Sequence, residues 1–237
     1  MLDFGFYNMD CIKGMKQFPD NYFDLAIVDP PYFEGPNKRE FYGHNISPIG
    51  VKKIYKEIKY WEIPNALYFE ELFRVSKNQI VWGCNYYDYK FGTGRIIWDK
   101  VNGQSDYSDC EIAFCSMHNS VRLFRYMWNG MMQGKSIDEG YIQQGNKKLN
   151  EKRIHPTQKP IALYEWILSK YSKNNDVILD THVGSASSLI ACHRTNHKFV
   201  GFELDPYYYA KAKERLDAEM AQMSIYDFIN VRKENEV

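Results

Sequence analysis

Short apolar segments alternate with helical patterns along most of the chain, and this alternation limits the fold more than any other feature. Strands are predicted at residues 4–8, 25–28, 79–84, 95–98, 111–115, 177–179 and 199–203. Helices are predicted at residues 64–75, 161–171, 185–194 and 206–220. Strands that alternate with helices in this way are typical of an α/β fold, in which helices cover a mostly parallel sheet.

The length of the chain fits one domain with an irregular insertion. With 237 residues, of which 44% are hydrophobic, the chain can bury a core of ordinary size. Between residues 119 and 153 the periodicity is replaced by glycines and polar residues, which predicts an inserted lobe or a mobile loop. Residues 221–237 are predicted to be a C-terminal tail outside the helical pattern.

Composition argues against several classes of protein. No apolar stretch reaches the roughly 18 residues of a membrane span, and the N-terminus lacks a signal peptide, so we expect a cytoplasmic protein without a membrane partner. Five irregularly spaced cysteines fit a reducing compartment. His193 and His197 lie close to Cys192, but no further ligand completes a set, so we expect no metal site.

The tetrad Asp29-Pro30-Pro31-Tyr32 follows the apolar run of residues 25–28 and combines acceptors with an aromatic ring. The prolines lack N–H groups and fix φ, so the turn is stiff and its carbonyls can accept hydrogen bonds. Two acceptors that bind both hydrogens of an exocyclic amine would favour a more tetrahedral nitrogen with an available lone pair. The tetrad is therefore either an amine-binding site or a stiff turn that closes a buried strand.

A second candidate site lies near the C-terminus. Asp180 closes a strand, Gly184 allows a tight turn, and small residues from Ser185 onward begin the next helix. Glu203 ends the following strand, nineteen positions after Gly184, where an acid can accept from both hydroxyls of a ribose. The pattern predicts a nucleoside-containing cofactor, although ordinary α/β packing produces similar turns.

Three segments in a fixed order resemble a known family. They are the tetrad, the segment His155-Pro-Thr-Gln-Lys-Pro160, and residues 177–186 together with Gly201-Phe-Glu-Leu-Asp205. Their order resembles the β class of S-adenosylmethionine-dependent DNA amino-methyltransferases, in which the cofactor motif comes last. The resemblance implies a Rossmann-like methyltransferase fold with a mostly parallel seven-stranded sheet, helices on both faces, a circularly permuted motif order and a small recognition lobe.

The resemblance also implies a reaction. The enzyme would transfer the methyl group of S-adenosylmethionine to N6 of an adenine flipped out of DNA, by direct in-line attack. Its catalytic residues would be Asp29, Pro30, Pro31 and Tyr32, with the base stacked on Tyr32 and held by the Asp29 side chain and the Pro30 carbonyl. Asp at the first position of the tetrad is typical of adenine-N6 enzymes, and Ser of cytosine-N4 enzymes. The alternatives are cytosine-N4 methylation, an RNA or protein substrate, and an inactive DNA-binding relative.

Residues of the cofactor site are implied by the same motifs. They are Asp10, Cys11, Asp29, Thr157, Lys159, Asp180, His182, Gly184, Ser185, Glu203 and Leu204. Asp10 would accept from the adenine amino group of the cofactor, or else cap a helix. Thr157 and Lys159 would line the methionine end of the pocket.

The cofactor motif departs from the family pattern at three positions. Thr181 replaces Pro, His182 replaces Phe and Ala186 replaces the second Gly of the usual Asp-Pro-Phe-x-Gly-Ser-Gly segment. Ala is acceptable at this position if its φ is negative, as at the start of a helix. His182 removes an apolar wall, which predicts weaker binding of the cofactor.

Positive charge is concentrated in two stretches of a chain whose net charge is zero. Residues 33–60 carry a net charge of +3 and residues 121–153 a net charge of +4, which predicts contact with the phosphates of double-stranded DNA. The candidate DNA-binding residues are Lys38, Arg39, Lys52, Lys53, Arg122, Arg125, Lys135, Lys147 and Lys148. The resemblance further implies a homodimer and a location at the nucleoid. It fits either a cognate restriction nuclease as partner or a solitary or phage-encoded enzyme.

Aromatic residues near the third strand have a less specific pattern. Nineteen tyrosines occur in the chain, and the clusters at residues 86–89 and 207–209 are predicted to pack in the core more than to stack on bases. Residues 82–86 follow a strand and are a weaker candidate for the wall of the pocket.

Overall fold

The computed structural model describes residues 1–33, 35–36, 55–103 and 108–234, with side chains up to residue 222. Its strands are β1 (Gly5–Asn8), β2 (Leu25–Val28), β3 (Gln79–Trp82), β4 (Arg95–Asp99), β5 (Cys110–Cys115), β6 (Val121–Arg125), β7 (Trp128–Asn129), β8 (Met132–Gln133), β9 (Val177–Asp180) and β10 (Lys198–Glu203). Its helices are α1 (Cys11–Met15), α2 (Ala66–Val75), α3 (Ile161–Tyr171), α4 (Ser187–Arg194) and α5 (Pro206–Glu234), with a 3₁₀ turn at Lys147–Leu149.

The main sheet has the strand order β1-β10-β9-β2-β3-β5-β4-β6. Every strand runs parallel to the others except β5, which pairs antiparallel with both β3 and β4. The prediction of a mostly parallel α/β sheet is therefore confirmed. The predicted count of seven strands is wrong, because the main sheet formed by the described residues has eight.

The additional strand, β6, lies at one edge of the sheet and within the segment predicted as a lobe or loop. It pairs parallel with β4, from Val121 opposite Arg95 to Arg125 opposite Asp99. Only Phe124 is buried in this strand. An edge strand with one buried side chain lacks the apolar run by which its neighbours were recognised, and this is why the sequence did not indicate it.

Helices cover both faces of the sheet, as expected. On one face, α3, α4 and the first half of α5 pack against a core that includes Ile27, Trp82 and Trp98. On the other face, α1 and α2 pack against a core that includes Val28 and Phe202. Burial of apolar side chains on alternate faces of each strand fixes the register of the sheet. The carboxyl ends of the parallel strands are consequently held along one edge.

The rest of the 119–153 segment forms a small unit beside the segment of residues 155–160. Strands β7 and β8 pair as a short antiparallel hairpin. The buried indole of Trp128 donates through Nε1 to the Gln158 carbonyl at 2.8 Å, and the Gln133 side chain bonds the backbone of Glu151 in both directions, at 2.8 and 3.0 Å. These contacts join the hairpin to the loop that carries Thr157 and Lys159. A role for this segment in target recognition stays a prediction.

The C-terminal helix is longer than expected. It was predicted to end near Met220, followed by a tail at residues 221–237, but it continues to Glu234. Residues 221–234 contain neither Gly nor Pro, so nothing in them interrupts the hydrogen bonds of a helix. No helix in the described parts of the chain is both long enough and apolar enough to cross a membrane.

Candidate active site

The tetrad lies at the carboxyl end of β2, in the middle of the sheet. Asp29 Oδ2 lies 2.5 Å from the Nζ atom of Lys159, whose side chain is almost completely buried. The other oxygen, Asp29 Oδ1, is buried and has no hydrogen-bond partner among the described residues. A buried acceptor without a partner is costly, so this atom is a candidate for contact with a ligand. Burial raises the pKa of Asp29, and Lys159 opposes this effect.

Pro30 and Tyr32 of the tetrad contact aromatic residues that follow β3. The Pro30 carbonyl accepts from the buried Tyr87 hydroxyl at 2.7 Å, which leaves one of its two lone pairs for a further donor. Tyr32 stacks on Tyr86, with ring centroids 5.0 Å apart and planes inclined by 18°. Gly83 has φ +69°, and a Cβ atom there would lie 2.3 Å from Cδ1 of Tyr32. The segment 82–86 therefore borders the tetrad.

A cluster of charged residues surrounds Asp29 and includes two that the sequence did not indicate. Glu111 Oε2 lies 2.8 Å from Lys159 Nζ and accepts from the Tyr32 hydroxyl at 3.3 Å, while Glu111 Oε1 lies 2.6 Å from Lys100 Nζ. Burial alone would raise the pKa of Glu111, but Lys159 and Lys100 outweigh it and lower the pKa to about 2. Burial would likewise lower the pKa of Lys159, yet Asp29 and Glu111 raise it. Glu111 thus lies between two basic side chains, and one of them, Lys159, also contacts Asp29.

The position of Glu111 follows from the direction of β5. Because β5 is antiparallel to its neighbours, its first residues lie at the edge where the parallel strands end. Glu111 pairs with Trp98 in β4, two residues before Lys100. The available signal in the sequence was an acid within an apolar strand, on the same face as the buried Ala113 and Cys115.

The turn after β9 is held by two buried carboxylates. Asp180 accepts from the His182 amide at 2.9 Å and from the Ser188 hydroxyl at 2.5 Å, while Glu203 accepts from the amides of Gly184 and Asp205, both at 2.8 Å. Burial raises the pKa of each to about 7. Gly184 has φ +57°, a conformation that glycine adopts without strain.

The three unusual residues of this turn have clear structural roles. The Thr181 hydroxyl is hydrogen-bonded both to the Tyr68 hydroxyl, at 2.5 Å, and to His182 Nδ1, at 2.9 Å. His182 is therefore part of a chain of hydrogen bonds. Burial lowers the pKa of His182 to about 4, so the ring is neutral at pH 7. Ala186 does not meet the condition of a negative φ. Its φ is +63°, which costs an alanine about 1 kcal/mol and is imposed by the turn into α4.

Several of the predicted cofactor residues share one pocket with the tetrad. Those that line it are Asp29, Thr157, Lys159, His182, Gly184, Ser185 and Glu203, beside His155 and the aromatic residues Phe33, Tyr60, Trp61 and Tyr164. Asp180 lies below the turn. Lys159 uses its ammonium on Asp29 and Glu111, so its expected contact with the carboxylate of a cofactor stays a prediction.

The remaining cofactor candidates lie next to this pocket without lining it. Asp10 caps α1 through a hydrogen bond from the Lys13 amide at 2.9 Å, the role that was the alternative to contact with an adenine. Burial raises the pKa of the neighbouring Cys11 to about 12, so its thiol is uncharged. Leu204 is half exposed. A role for these three residues at a cofactor stays a prediction.

The predicted DNA-binding residues differ in their surroundings. Lys38, Arg39, Lys52 and Lys53 lie outside the described residues. Arg122, Lys147 and Lys148 are exposed, whereas Arg125 and Lys135 are exposed and also paired, with Asp99 at 2.8 Å and Glu139 at 2.6 Å. In the described ranges, no group of three His, Cys, Asp or Glu residues is arranged to hold a metal ion.

Comparison with known proteins places this geometry in a family. The chain is 27% identical to the type II methyltransferase M.HpaI of Haemophilus parainfluenzae, over 89% of this chain and 73% of that protein. The fold is similar to that of the M1.HpyAVI–SAM complex, with a TM-score of 0.55 and 18% identity over 90% and 98% of the two chains. It is also similar to the PvuII DNA methyltransferase, described as cytosine-N4-specific, with a TM-score of 0.53 and 14% identity over 91% and 90%.

A family model supports the same assignment from sequence alone. The model described as DNA methylase, which covers N6 and N4 methyltransferases, matches residues 93–214, just over half of the chain. This range includes Glu111, Lys159, the turn at residues 181–186 and Glu203, while the tetrad precedes it. Lys159, Gly184 and Glu203 line one pocket with the tetrad. Because the family model matches more than half of the chain, we conclude that the chain belongs to the DNA methylase family.

Proposed function

We propose that this protein methylates the exocyclic N6 of adenine in double-stranded DNA, with S-adenosylmethionine as the methyl donor. Membership of the DNA methylase family supports transfer to an amino group of a DNA base. The observation that carries the proposal is the buried Oδ1 of Asp29, which has no partner among the residues that the structure describes, in a residue that lines one pocket with Pro30 and Tyr32. An amine needs two acceptors, which here would be Asp29 Oδ1 and the Pro30 carbonyl.

The residues of the pocket fit S-adenosylmethionine. Gly184 offers a turn without a side chain, and the Glu203 carboxylate, already bound to two amides, keeps lone pairs for hydroxyl donors. Aromatic side chains and the neutral ring of His182 provide walls for a purine and a sulfonium group. When it is bound, S-adenosylmethionine supplies an electrophilic methyl group.

The residues of the chain then act on the base. Asp29 Oδ1 and the second lone pair of the Pro30 carbonyl accept the two amine hydrogens, and the lone pair of the nitrogen is thereby directed away from the ring. The nitrogen forms a bond to the methyl carbon as the bond from carbon to sulfur breaks, and the nitrogen then loses one proton to Asp29 or to water. Positioning and electrostatic stabilisation carry the catalysis, and no covalent intermediate with the protein is needed.

Adenine is favoured over cytosine by the carboxylate at the first tetrad position. This argument rests on the resemblance described above, and cytosine-N4 methylation is the second candidate, because the fold is shared with a cytosine-N4-specific enzyme. A homodimer and a cognate nuclease remain predictions that follow from the resemblance alone.

The test is to methylate unmodified genomic DNA of known sequence and to map the modified bases at single-nucleotide resolution. We expect N6-methyladenine at one short recurring sequence. N4-methylcytosine would overturn the choice of base, and the absence of any modified base would overturn the proposed activity.

A substitution at the tetrad tests the mechanism. Asp29→Ala should abolish transfer and retain saturable binding of S-adenosylmethionine in a calorimetric titration. The control is Asp217→Ala, which removes a carboxylate from an exposed ion pair with Lys213 on α5. An Asp29→Ala protein with a normal rate would exclude the proposed role of Asp29.

A further inference from the structure

Glu111 contacts three residues at the active site but is not part of any of the motifs. Its carboxylate reaches Lys159, Lys100 and the Tyr32 hydroxyl at the same time. Its side chain is 18% exposed and that of Lys100 is 16% exposed, so both charges are largely removed from water. A buried carboxylate destabilises the folded protein unless its partners compensate for the loss of water. All of the partners of Glu111 lie at the site of the reaction.

We infer that Glu111 is a positioning residue for methyl transfer, which directs Lys159 to Asp29 Oδ2 and keeps the charge beside the target amine balanced. The inference rests on the proposed function. Lys159 is held between Asp29 Oδ2 at 2.5 Å and Glu111 Oε2 at 2.8 Å. With its ammonium fixed between these two oxygens, Lys159 leaves Asp29 Oδ1 available to the base.

Charge balance matters because of the direction in which charge moves during the reaction. The target nitrogen gains positive charge as its lone pair forms the new bond to carbon. The electron pair of the breaking carbon–sulfur bond stays with sulfur. A net positive cluster next to that nitrogen would oppose the transfer. With Asp29 and Glu111 ionised, two carboxylates offset Lys159 and Lys100, and the net charge of the four groups is zero. Loss of the Glu111 carboxylate would leave a net charge of +1.

The same carboxylate also restrains the stacking platform. The Tyr32 hydroxyl donates to Glu111 Oε2 at 3.3 Å, and the Tyr32 ring lies 5.7 Å from Lys159 Nζ. Glu111 therefore restrains both groups that the base would meet: the Tyr32 ring directly, and the Asp29 carboxylate through Lys159.

The experiment compares Glu111→Gln, Lys100→Met and the double variant with the wild-type protein. Glu111→Gln should lower kcat by about tenfold or more, with little change in KM for either substrate, because the effect arises in the transition state. Adding Lys100→Met returns the cluster to a net charge of zero and should restore part of kcat. A purely structural role predicts that the second substitution adds to the loss. The exposed pair on α5 gives the control, Asp217→Asn with Lys213→Met.

A second measurement does not depend on activity. The carboxyl carbon of Asp29, labelled with ¹³C and followed by NMR as a function of pH, reports the pKa of Asp29 directly. Glu111 raises this pKa and Lys100 lowers it. The pKa should therefore fall in Glu111→Gln and rise again in the double variant. If Glu111→Gln does not fold, Lys100→Met alone should shift the pKa upward.

The outcomes separate the inference from the proposed function. A wild-type protein that transfers no methyl group to DNA would overturn the proposed function, and the NMR titration would still decide the coupling. An unchanged kcat in Glu111→Gln, a double variant slower than Glu111→Gln, or an Asp29 pKa that none of the substitutions moves would each overturn the inference.

Discussion

The contact between Gly83 and Tyr32 gives a sharp test of how precisely the site must be built. Gly83 has φ +69°, and a Cβ atom at this position would lie 2.3 Å from Cδ1 and 2.5 Å from Cγ of Tyr32. Ordinary van der Waals contact begins near 3.4 Å. In Gly83→Ala the Tyr32 ring must therefore move by about 1 Å, a displacement that commonly costs about a hundredfold in rate when it affects a reacting group.

The positive φ adds a cost that a matched control can remove. Gly103 has φ +63°, and a Cβ atom there would meet no atom of the described residues within 4 Å. Both alanine variants should lose about 1 kcal/mol of stability from the backbone conformation. Only Gly83→Ala should also lose about a hundredfold in kcat, which corresponds to roughly 2.7 kcal/mol of transition-state stabilisation.

The assay measures kcat with saturating DNA and S-adenosylmethionine, beside urea unfolding of both variants. Binding of S-adenosylmethionine should be unchanged in Gly83→Ala, because the displaced ring lies on the side of the base. Equal values of kcat for the two variants would refute the argument that the position of Tyr32 limits the reaction.

Two further predictions concern neighbouring residues. In His182→Phe the loss of stability at low pH should be smaller than in the wild type. The pKa of His182 is about 4 in the folded protein and about 6.5 in the unfolded chain. The wild-type protein therefore loses stability as the pH falls from 6.5 towards 4, because only the unfolded chain binds a proton at this residue. When the pH is lowered from 7.5 to 5, the free energy of unfolding of the variant should rise by about 2 kcal/mol relative to that of the wild type. Urea unfolding at the two pH values measures this change. The same difference between variant and wild type at both pH values would contradict a neutral, buried ring. Tyr87→Phe leaves the Pro30 carbonyl without its donor, and we expect a loss of about 1 to 2 kcal/mol in urea unfolding at pH 7.5. A loss equal to that of an exposed Tyr→Phe change would indicate that this hydrogen bond contributes nothing.

Much of the fold could be predicted from the sequence because its signals are local. The apolar runs of the central strands and the periodicity of α3 depend only on neighbouring residues, and their observed bounds differ little from the predicted ones. Asp29 and Glu203 meet at one edge because parallel strands end there, so their convergence follows once the strands are recognised. β6 was missed because an edge strand buries little apolar surface.

The parts of the site that the sequence did not indicate depend on long-range geometry. Glu111 reaches Lys159 and Lys100 only because its strand, β5, is reversed, and a single sequence carries no signal for that reversal. Tyr87 was correctly predicted to be a packing residue, but its hydroxyl also binds the tetrad. The φ of Ala186 is set by the turn into α4, which overrides the preference of alanine.

The contacts among Asp29, Lys100, Glu111 and Lys159 join residues at very different separations in the sequence. This difference in separation matters for the order of folding. Glu111 lies on β5 and Lys100 directly follows β4, its paired strand, so a hairpin can bring them together early. Asp29 and Lys159 are 130 residues apart, and their contact requires the central strands to be in place. A nascent or partly unfolded chain can therefore hold half of the cluster, but it cannot bring Lys159 to Asp29. Under the mechanism proposed above, such a chain cannot methylate DNA before the domain is complete.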